Sequence, residues 1–188
     1  MNKKKLSFVV IAGLLVIVGA LFLKSSTVDQ SSDTKKTAKT FQVAPLTAMV
    51  GQTAPDFDFE TVDNKTVKLS SLRGKPVIMS FVLTRGCTPC ATTAKATKQV
   101  QDQTAVQVIQ VALDPSDPIS SLRAFRSQLG APDWLMGYDK NSQLSDLYRV
   151  RTVDTKFVID AKGKIIYRDN GATIESDNLL KIVKGQAS

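Results

Sequence analysis

Histidine is absent from this 188-residue chain, and cysteine occurs only twice, at Cys87 and Cys90. Without imidazole, Ser-His-Asp and Cys-His nucleophilic catalysis, HExxH metal hydrolysis and His-ligated haem or zinc sites are excluded. Whatever the two cysteines do, they do together or with a partner molecule. Acidic residues are the minority, 17 against 25 basic ones, for a formal charge of +8. The excess is unevenly spread: Lys3, Lys4 and Lys5 and four lysines of residues 24–50 carry most of it, and residues 51–188 hold eighteen basic against fifteen acidic side chains. No basic stripe with interleaved aromatics is present, so no nucleic-acid partner is expected. The length suits one domain of about 140 residues with extensions.

The one long charge-free apolar run lies at the start. Leu6 to Leu23 follows three lysines and precedes Lys24. As a helix, its eighteen residues span about 27 Å, close to the hydrocarbon thickness of a bilayer. Residues 1–24 therefore read as a membrane anchor or signal-anchor helix, contacting the membrane through residues 6–23. Val18-Gly19-Ala20 offers small residues for cleavage, but Leu21-Phe22-Leu23 extends the apolar run beyond it, which favours an uncleaved anchor. No cysteine follows the run, so no lipoprotein anchor forms there. The basic flank stays cytoplasmic, placing the remainder outside in a single-pass, extracytoplasmic arrangement at the cell membrane. Residues 25–50 are polar and Ser/Thr/Lys-rich, a flexible tether.

Patterning changes over residues 51–188. Phe57 to Val62 and Thr66 to Leu69 flank Asp63-Asn64, a hairpin. Pro76 to Leu83 is a nearly continuous apolar run, a central strand covered on both faces. A helix is expected over Thr88–Gln103, then a strand over Val106–Leu113. Asp114-Pro115-Ser116-Asp117-Pro118 breaks that strand and supplies a cap for a helix outlined by Leu122, Phe125 and Leu129. A second hairpin pairs Lys156–Asp160 with Lys164–Arg168, adding antiparallel edge strands, and a last helix covers about 175–184. The fold class is α/β, a mixed sheet flanked by helices, with Trp134, Tyr138 and Phe125 as core or rim packing.

Cys87-Thr88-Pro89-Cys90 opens the first helix just past the carboxyl end of the apolar strand, where open parallel sheets place functional groups. Thiols at this spacing on a first helical turn bridge without rearranging the backbone. The helix N-terminus stabilises a Cys87 thiolate, making it the nucleophile, and Cys90 would attack Cys87 sulfur to release a mixed disulfide. Pro89 suits a first turn, which does not need its N–H. A static bridge is the plain alternative, but closing so short a loop adds little stability. A pair of thiolates holding Cu(I) is the other.

The segment GQTAPDFDFETVDNKTVKLSSLRGKPVIMSF followed by CTPC resembles the AhpC/TSA and TlpA/ResA group of thioredoxin-like proteins. Val111-Ala112-Leu113-Asp114-Pro115 through Gly130, with Trp134-Leu135 and Cys90-Ala91-Thr92-Thr93, is similar to Sco/SenC-type copper chaperones. The departures are specific. Sco proteins space their cysteines by three residues and add a distal histidine, whereas the corresponding region, Thr152 to Thr155, has none. Thioredoxin-like proteins carry a cis-proline where this chain has Asp154, next to Thr155. A cis bond before a non-proline residue costs several kcal/mol, so this loop is expected trans or remodelled. A carboxylate there would raise the pKa of Cys87 or serve as a proton acceptor. Thr93 stands where ResA-like proteins often have glutamate, and Gly86 replaces the usual tryptophan. Peroxiredoxins share the fold: Thr84 matches their threonine and Arg85 is a candidate anion partner or thiolate stabiliser, but Ser80 replaces their proline.

The resemblance implies a thioredoxin-like fold with an N-terminal β-hairpin, preceded by one transmembrane helix. It implies a membrane-anchored thiol-disulfide oxidoreductase working through Cys87 and Cys90, with Thr84, Arg85, Thr88, Pro89, Asp154 and Thr155 around them. No organic cofactor is expected. Its partners would be exported protein thiols or disulfides and an integral membrane electron donor. A Cu(I) chaperone with Cys87 and Cys90 as ligands and a thiol peroxidase are the alternatives.

Overall fold

The computed structural model describes residues 47–185, so the expected anchor over residues 1–24 and most of the tether over residues 25–50 lie outside the described residues. No helix among the described residues is long and apolar enough to cross a membrane. Ala48 is buried, and its carbonyl accepts a hydrogen bond from Arg168 Nη1 at 3.1 Å.

The order is β1 (Asp58–Glu60), β2 (Thr66–Lys68), β3 (Val77–Val82), α1 (Thr88–Gln103), β4 (Gln107–Ala112), α2 (Ile119–Gln128), β5 (Leu135–Tyr138), α3 (Gln143–Leu147), β6 (Thr155–Ile159), β7 (Ile165–Asn170) and α4 (Ser176–Val183). β1 and β2 form the expected antiparallel hairpin, and the other five strands form one sheet in the order β5-β4-β3-β6-β7. β4 runs parallel to β3 and β5 parallel to β4, whereas β6 and β7 run antiparallel to their neighbours. This is the mixed sheet that the alternation of elements called for. β6 is an interior strand, not an edge; only β7 closes that side.

Every residue of β3 is buried, as its apolar run required. Val77, Met79 and Phe81 face a core shared with the β1–β2 hairpin, α3 and Tyr148. Ile78 faces the opposite layer, packed with Ala94 and Val100 of α1 and with Leu179 and Val183 of α4. Trp134 is buried in that second layer, and Phe125 and Tyr138 are partly buried at its margin, so all three pack as expected. The hairpin is held close to the sheet at Gly137, where a Cβ would collide with the Glu60 carbonyl. The Asp114 to Pro118 segment breaks the chain as anticipated but does not cap α2 with a side chain. Pro118 is the N-cap, Asp114 accepts from the backbone N–H of Ser116 at 2.8 Å, and Asp117 turns elsewhere.

Candidate functional site

β3 ends under the sheet's carboxyl edge, and five residues carry the chain to α1. Gly86 takes φ +69, a left-handed conformation that glycine adopts without strain, and turns the chain into the helix. Cys87 is the N-cap, and Thr88 and Pro89 make the first turn. Cys87 and Cys90 are joined by a disulfide with Cα atoms 5.3 Å apart. Cys87 is half-buried and lines an open groove with Gly86, Thr88, Lys95, Phe125 and Leu129. Cys90 is fully buried among Val82, Ala112, Leu122 and Met136. The pair is therefore asymmetric, one sulfur reachable and the other shielded. The backbone N–H of Cys90 donates to Cys87 Sγ at 3.2 Å, and no acidic residue lies in the first turn of α1. Both features favour a thiolate at Cys87 once the bridge opens.

Thr84 and Arg85 are drawn to one carboxylate. Thr84 Oγ1 donates to Asp117 Oδ2, and Arg85 Nε contacts Asp117 Oδ1 at 2.5 Å. Asp117 is buried and the Arg85 side chain is 62% exposed, so the guanidinium is matched by a carboxylate beneath it instead of standing free beside Cys87. Tyr138 donates its hydroxyl to the Asp117 carbonyl. These bonds tie the start of α2 to the loop leading into Cys87. Thr88 is exposed, and its carbonyl accepts from Thr92.

Asp154 sits against the buried face of α1 with φ +59, and every peptide bond among the described residues, including the one before it, is trans. Its backbone N–H donates to the Phe81 carbonyl at 2.7 Å. Its Oδ2 accepts from Thr93 Oγ1 at 2.8 Å and lies 3.3 Å from Lys156 Nζ. Asp154 and Lys156 are both almost wholly buried, and Lys156 Nζ also meets Asp169 Oδ1 at 3.2 Å and the Ala172 carbonyl. Burial pushes the Asp154 carboxyl above the usual carboxylate range, and the Thr93 hydrogen bond and the Lys156 charge only partly offset it. Thr155 is buried beside this group, donating Oγ1 to the Thr152 carbonyl at 2.7 Å.

The structure thus brings Cys87, Cys90, Thr88 and Pro89 together at the helix start. It places Thr84 with Arg85 on Asp117, and Asp154 with Thr155 at the start of β6, against the buried face of α1 at Thr93. Sequence reasoning missed Asp117 and Lys156. An arginine next to the CTPC segment needs a counter-charge, which was a usable signal for Asp117. A lysine opening an otherwise apolar strand gave none, since it reads as a solvated strand end.

The model of the AhpC/TSA family matches residues 50–168. The chain is 31% identical over 123 residues to the thiol-disulfide oxidoreductase ResA of Oceanobacillus iheyensis, covering 62% of each chain. It is 29% identical over 145 residues to the ResA of Bacillus subtilis, covering 73% of this chain and 78% of that one. Among solved structures, a candidate thiol:disulfide interchange protein DsbE of Chlorobium tepidum superposes with a TM-score of 0.63 at 27% identity, over 74% of this chain and 99% of that one. The α/β arrangement is thioredoxin-like.

Proposed function

Since the chain belongs to the AhpC/TSA family, we propose that it is a membrane-anchored, extracytoplasmic thiol-disulfide oxidoreductase acting on exported protein thiols or disulfides. The observation that carries this reading is the asymmetry of the Cys87–Cys90 pair, with a reachable sulfur at a helix N-terminus bonded to a buried one. ResA relatives and the fold support it. The anchor rests on the apolar run of residues 6–23.

In the reducing direction, the Cys87 thiolate attacks one sulfur of a client disulfide. The client S–S bond breaks, and its departing thiolate takes up a proton. Cys90 then loses its thiol proton, and its electron pair attacks Cys87 Sγ. The bond from Cys87 to the client breaks, the second client thiolate leaves and is protonated, and the Cys87–Cys90 bridge forms. Two electrons pass from the dithiol to the client, and an integral membrane donor would restore the dithiol. In the oxidising direction, the same steps run backwards. No organic cofactor takes part.

Asp154 is the proton acceptor for Cys90 in this scheme. Cys90 has no exposure through which to lose a proton directly, and the carboxyl lies against Thr93, one helical turn further along. Its raised pKa makes it a better base than an exposed aspartate. Thr84, Arg85 and Asp117 hold the loop that presents Cys87.

The full chain, reduced and mixed with glutathione disulfide, should exchange rapidly and come to a measurable equilibrium between dithiol and bridge. The Cys87→Ser variant should not exchange. A bridge inert to both glutathione and dithiothreitol would contradict the proposal. Labelling of Cys87 by a membrane-impermeant maleimide in intact cells checks the location.

A further inference from the structure

Cys87, Ala91 and Lys95 follow one another at four-residue intervals, so they stack one turn apart on a single face of α1, and the backbone N–H of Ala91 donates to the Cys87 carbonyl at 3.1 Å. Phe125 and Leu129 have the same spacing on α2. These two faces are the walls of the groove that Cys87 lines, whose volume of about 370 Å³ falls within the range of ligand sites. The end beside the sulfur is open, because Gly86 carries no side chain and nothing lies within 4 Å of the place a Cβ would take. The α2 wall belongs to the connection from β4 to β5, whereas Asp154 immediately precedes β6, on the other side of β3.

The walls differ in chemistry. Phe125 and Leu129 are half-buried apolar side chains, each leaving part of its surface to the groove. Lys95 is exposed and is the one charged residue of the lining, and among the described residues it makes no ion pair. The nearby cations are matched: Lys98 pairs with Asp102, and Arg85 pairs with Asp117. The unmatched charge of the groove is therefore positive, and complementary charge is what selects and orients a partner. At 1.5 Å per helical residue, Lys95 stands about 12 Å along α1 from Cys87. An extended chain covers that distance in about three to four residues.

Resting on the exchange reaction proposed above, we propose that this groove docks the client and sets its identity. The occupant is an extended segment of an exported chain. It lays a large apolar side chain next to its reacting cysteine against Phe125 and Leu129, and sets a carboxylate about three to four residues from that cysteine on Lys95. Lys95 thereby determines specificity without touching the reacting sulfurs, and a client with a basic residue at that place is repelled.

Docking is tested on the oxidised, isotope-labelled full chain in neutral detergent, with peptides that contain no sulfur, so that the outcome does not depend on exchange. The probe is the end-capped peptide Glu-Gly-Leu-Ser-Leu-Gly-Glu, in which serine replaces the reacting cysteine and a carboxylate lies three residues away on either side. Its twin carries lysine for both glutamates. The acidic peptide should shift the amide resonances of Ala91, Lys95 and Leu129. It should bind about fivefold tighter than the basic twin at low salt, the scale of an exposed ion pair, and the difference should fade at high salt. Lys95→Glu should invert the preference, which a merely structural role would not do. Replacing both leucines of the probe by glycine should weaken binding about fivefold or more. No shifts at these amides, equal binding of the two peptides at low salt, or a preference that survives Lys95→Glu would overturn the proposal. With cysteine restored and the peptides supplied as symmetric disulfides, kcat/KM of the reduced chain should follow the same order, and an order indifferent to charge would overturn the role of Lys95. Failure of the exchange reaction itself would show separately, as a wild-type dithiol inert toward the neutral hydroxyethyl disulfide, with the binding results unaffected.

Discussion

Substitutions at Asp154 separate a loop held by a buried ion pair from one that merely lacks the family's proline. Asp154→Asn keeps the backbone N–H bond to Phe81, an acceptor for Thr93 and a residue type that tolerates φ +59. It loses a charge toward Lys156 but also removes a desolvated carboxylate, so its net cost should be about 1 kcal/mol or less. Asp154→Gly relieves the positive φ but leaves Thr93 Oγ1 without an acceptor and Lys156 with one carboxylate fewer, about 2–3 kcal/mol. Asp154→Pro forces φ to about −65°, removes the donor to Phe81 and breaks the buried pair. Beyond the cost shared with the glycine variant, the Phe81 carbonyl left without its donor and the forced change of φ add about 1–3 kcal/mol, so the total should be about 4 kcal/mol. That is a large part of the ~5–15 kcal/mol holding a typical domain together. Urea unfolding of the oxidised chain, read by tryptophan fluorescence from Trp134, gives the midpoints. The order Asn, Gly, Pro is expected, and a proline variant as stable as the asparagine variant would refute the reasoning.

The same position predicts a pH dependence. Its folded carboxyl pKa is raised, so the folded state holds that proton more tightly than the unfolded chain does, with its pKa of about 3.9. Its contribution is fully present below about pH 4 and is lost as pH rises through the folded value. The difference in urea midpoint between the wild type and Asp154→Asn should thus move in favour of asparagine between pH 4 and pH 8. Reduced Cys87 should alkylate with a midpoint below the ~8.5 of a free thiol, because the helix N-terminus and the Cys90 N–H favour the thiolate. Arg85→Ala should move that midpoint little, since Asp117 already matches the guanidinium; a large upward shift would assign Arg85 a direct role. Gly86→Trp should cost about 1–2 kcal/mol of stability from its φ of +69 alone, because nothing lies within 4 Å of a Cβ there. An unchanged urea midpoint would contradict this.

The legible parts of the fold were those with long, unambiguous patterns. The buried strand β3, the helix α1 over Thr88–Gln103, the two hairpins and α2 all follow from hydrophobic period and turn residues. β5 escaped because Leu135-Met136-Gly137-Tyr138 is only four residues long and contains a glycine, whose reason, the close approach of Glu60, is tertiary. α3, five residues long, is set by Asp139, whose carboxylate accepts from the backbone N–H groups of Leu144 and Ser145. β6 was assigned to an edge because hairpins often close sheets, whereas its pairing with β3 is a long-range choice that local patterning does not encode. In the site, the cysteine spacing and its place after a buried strand were readable directly. The buried Lys156 and the partners of Asp154 and Asp117 were not, because they depend on which face of β6 and which end of α2 the fold turns inward.

Trapping an adduct tests the division of labour between the two sulfurs most directly. The full chain carrying Cys90→Ser, reduced and exposed to exported proteins with disulfides, should accumulate mixed disulfides through Cys87 that dithiothreitol releases. The Cys87→Ser chain should accumulate none, because its remaining thiol is fully buried. Adducts forming equally well through Cys90, or through neither cysteine, would contradict the account.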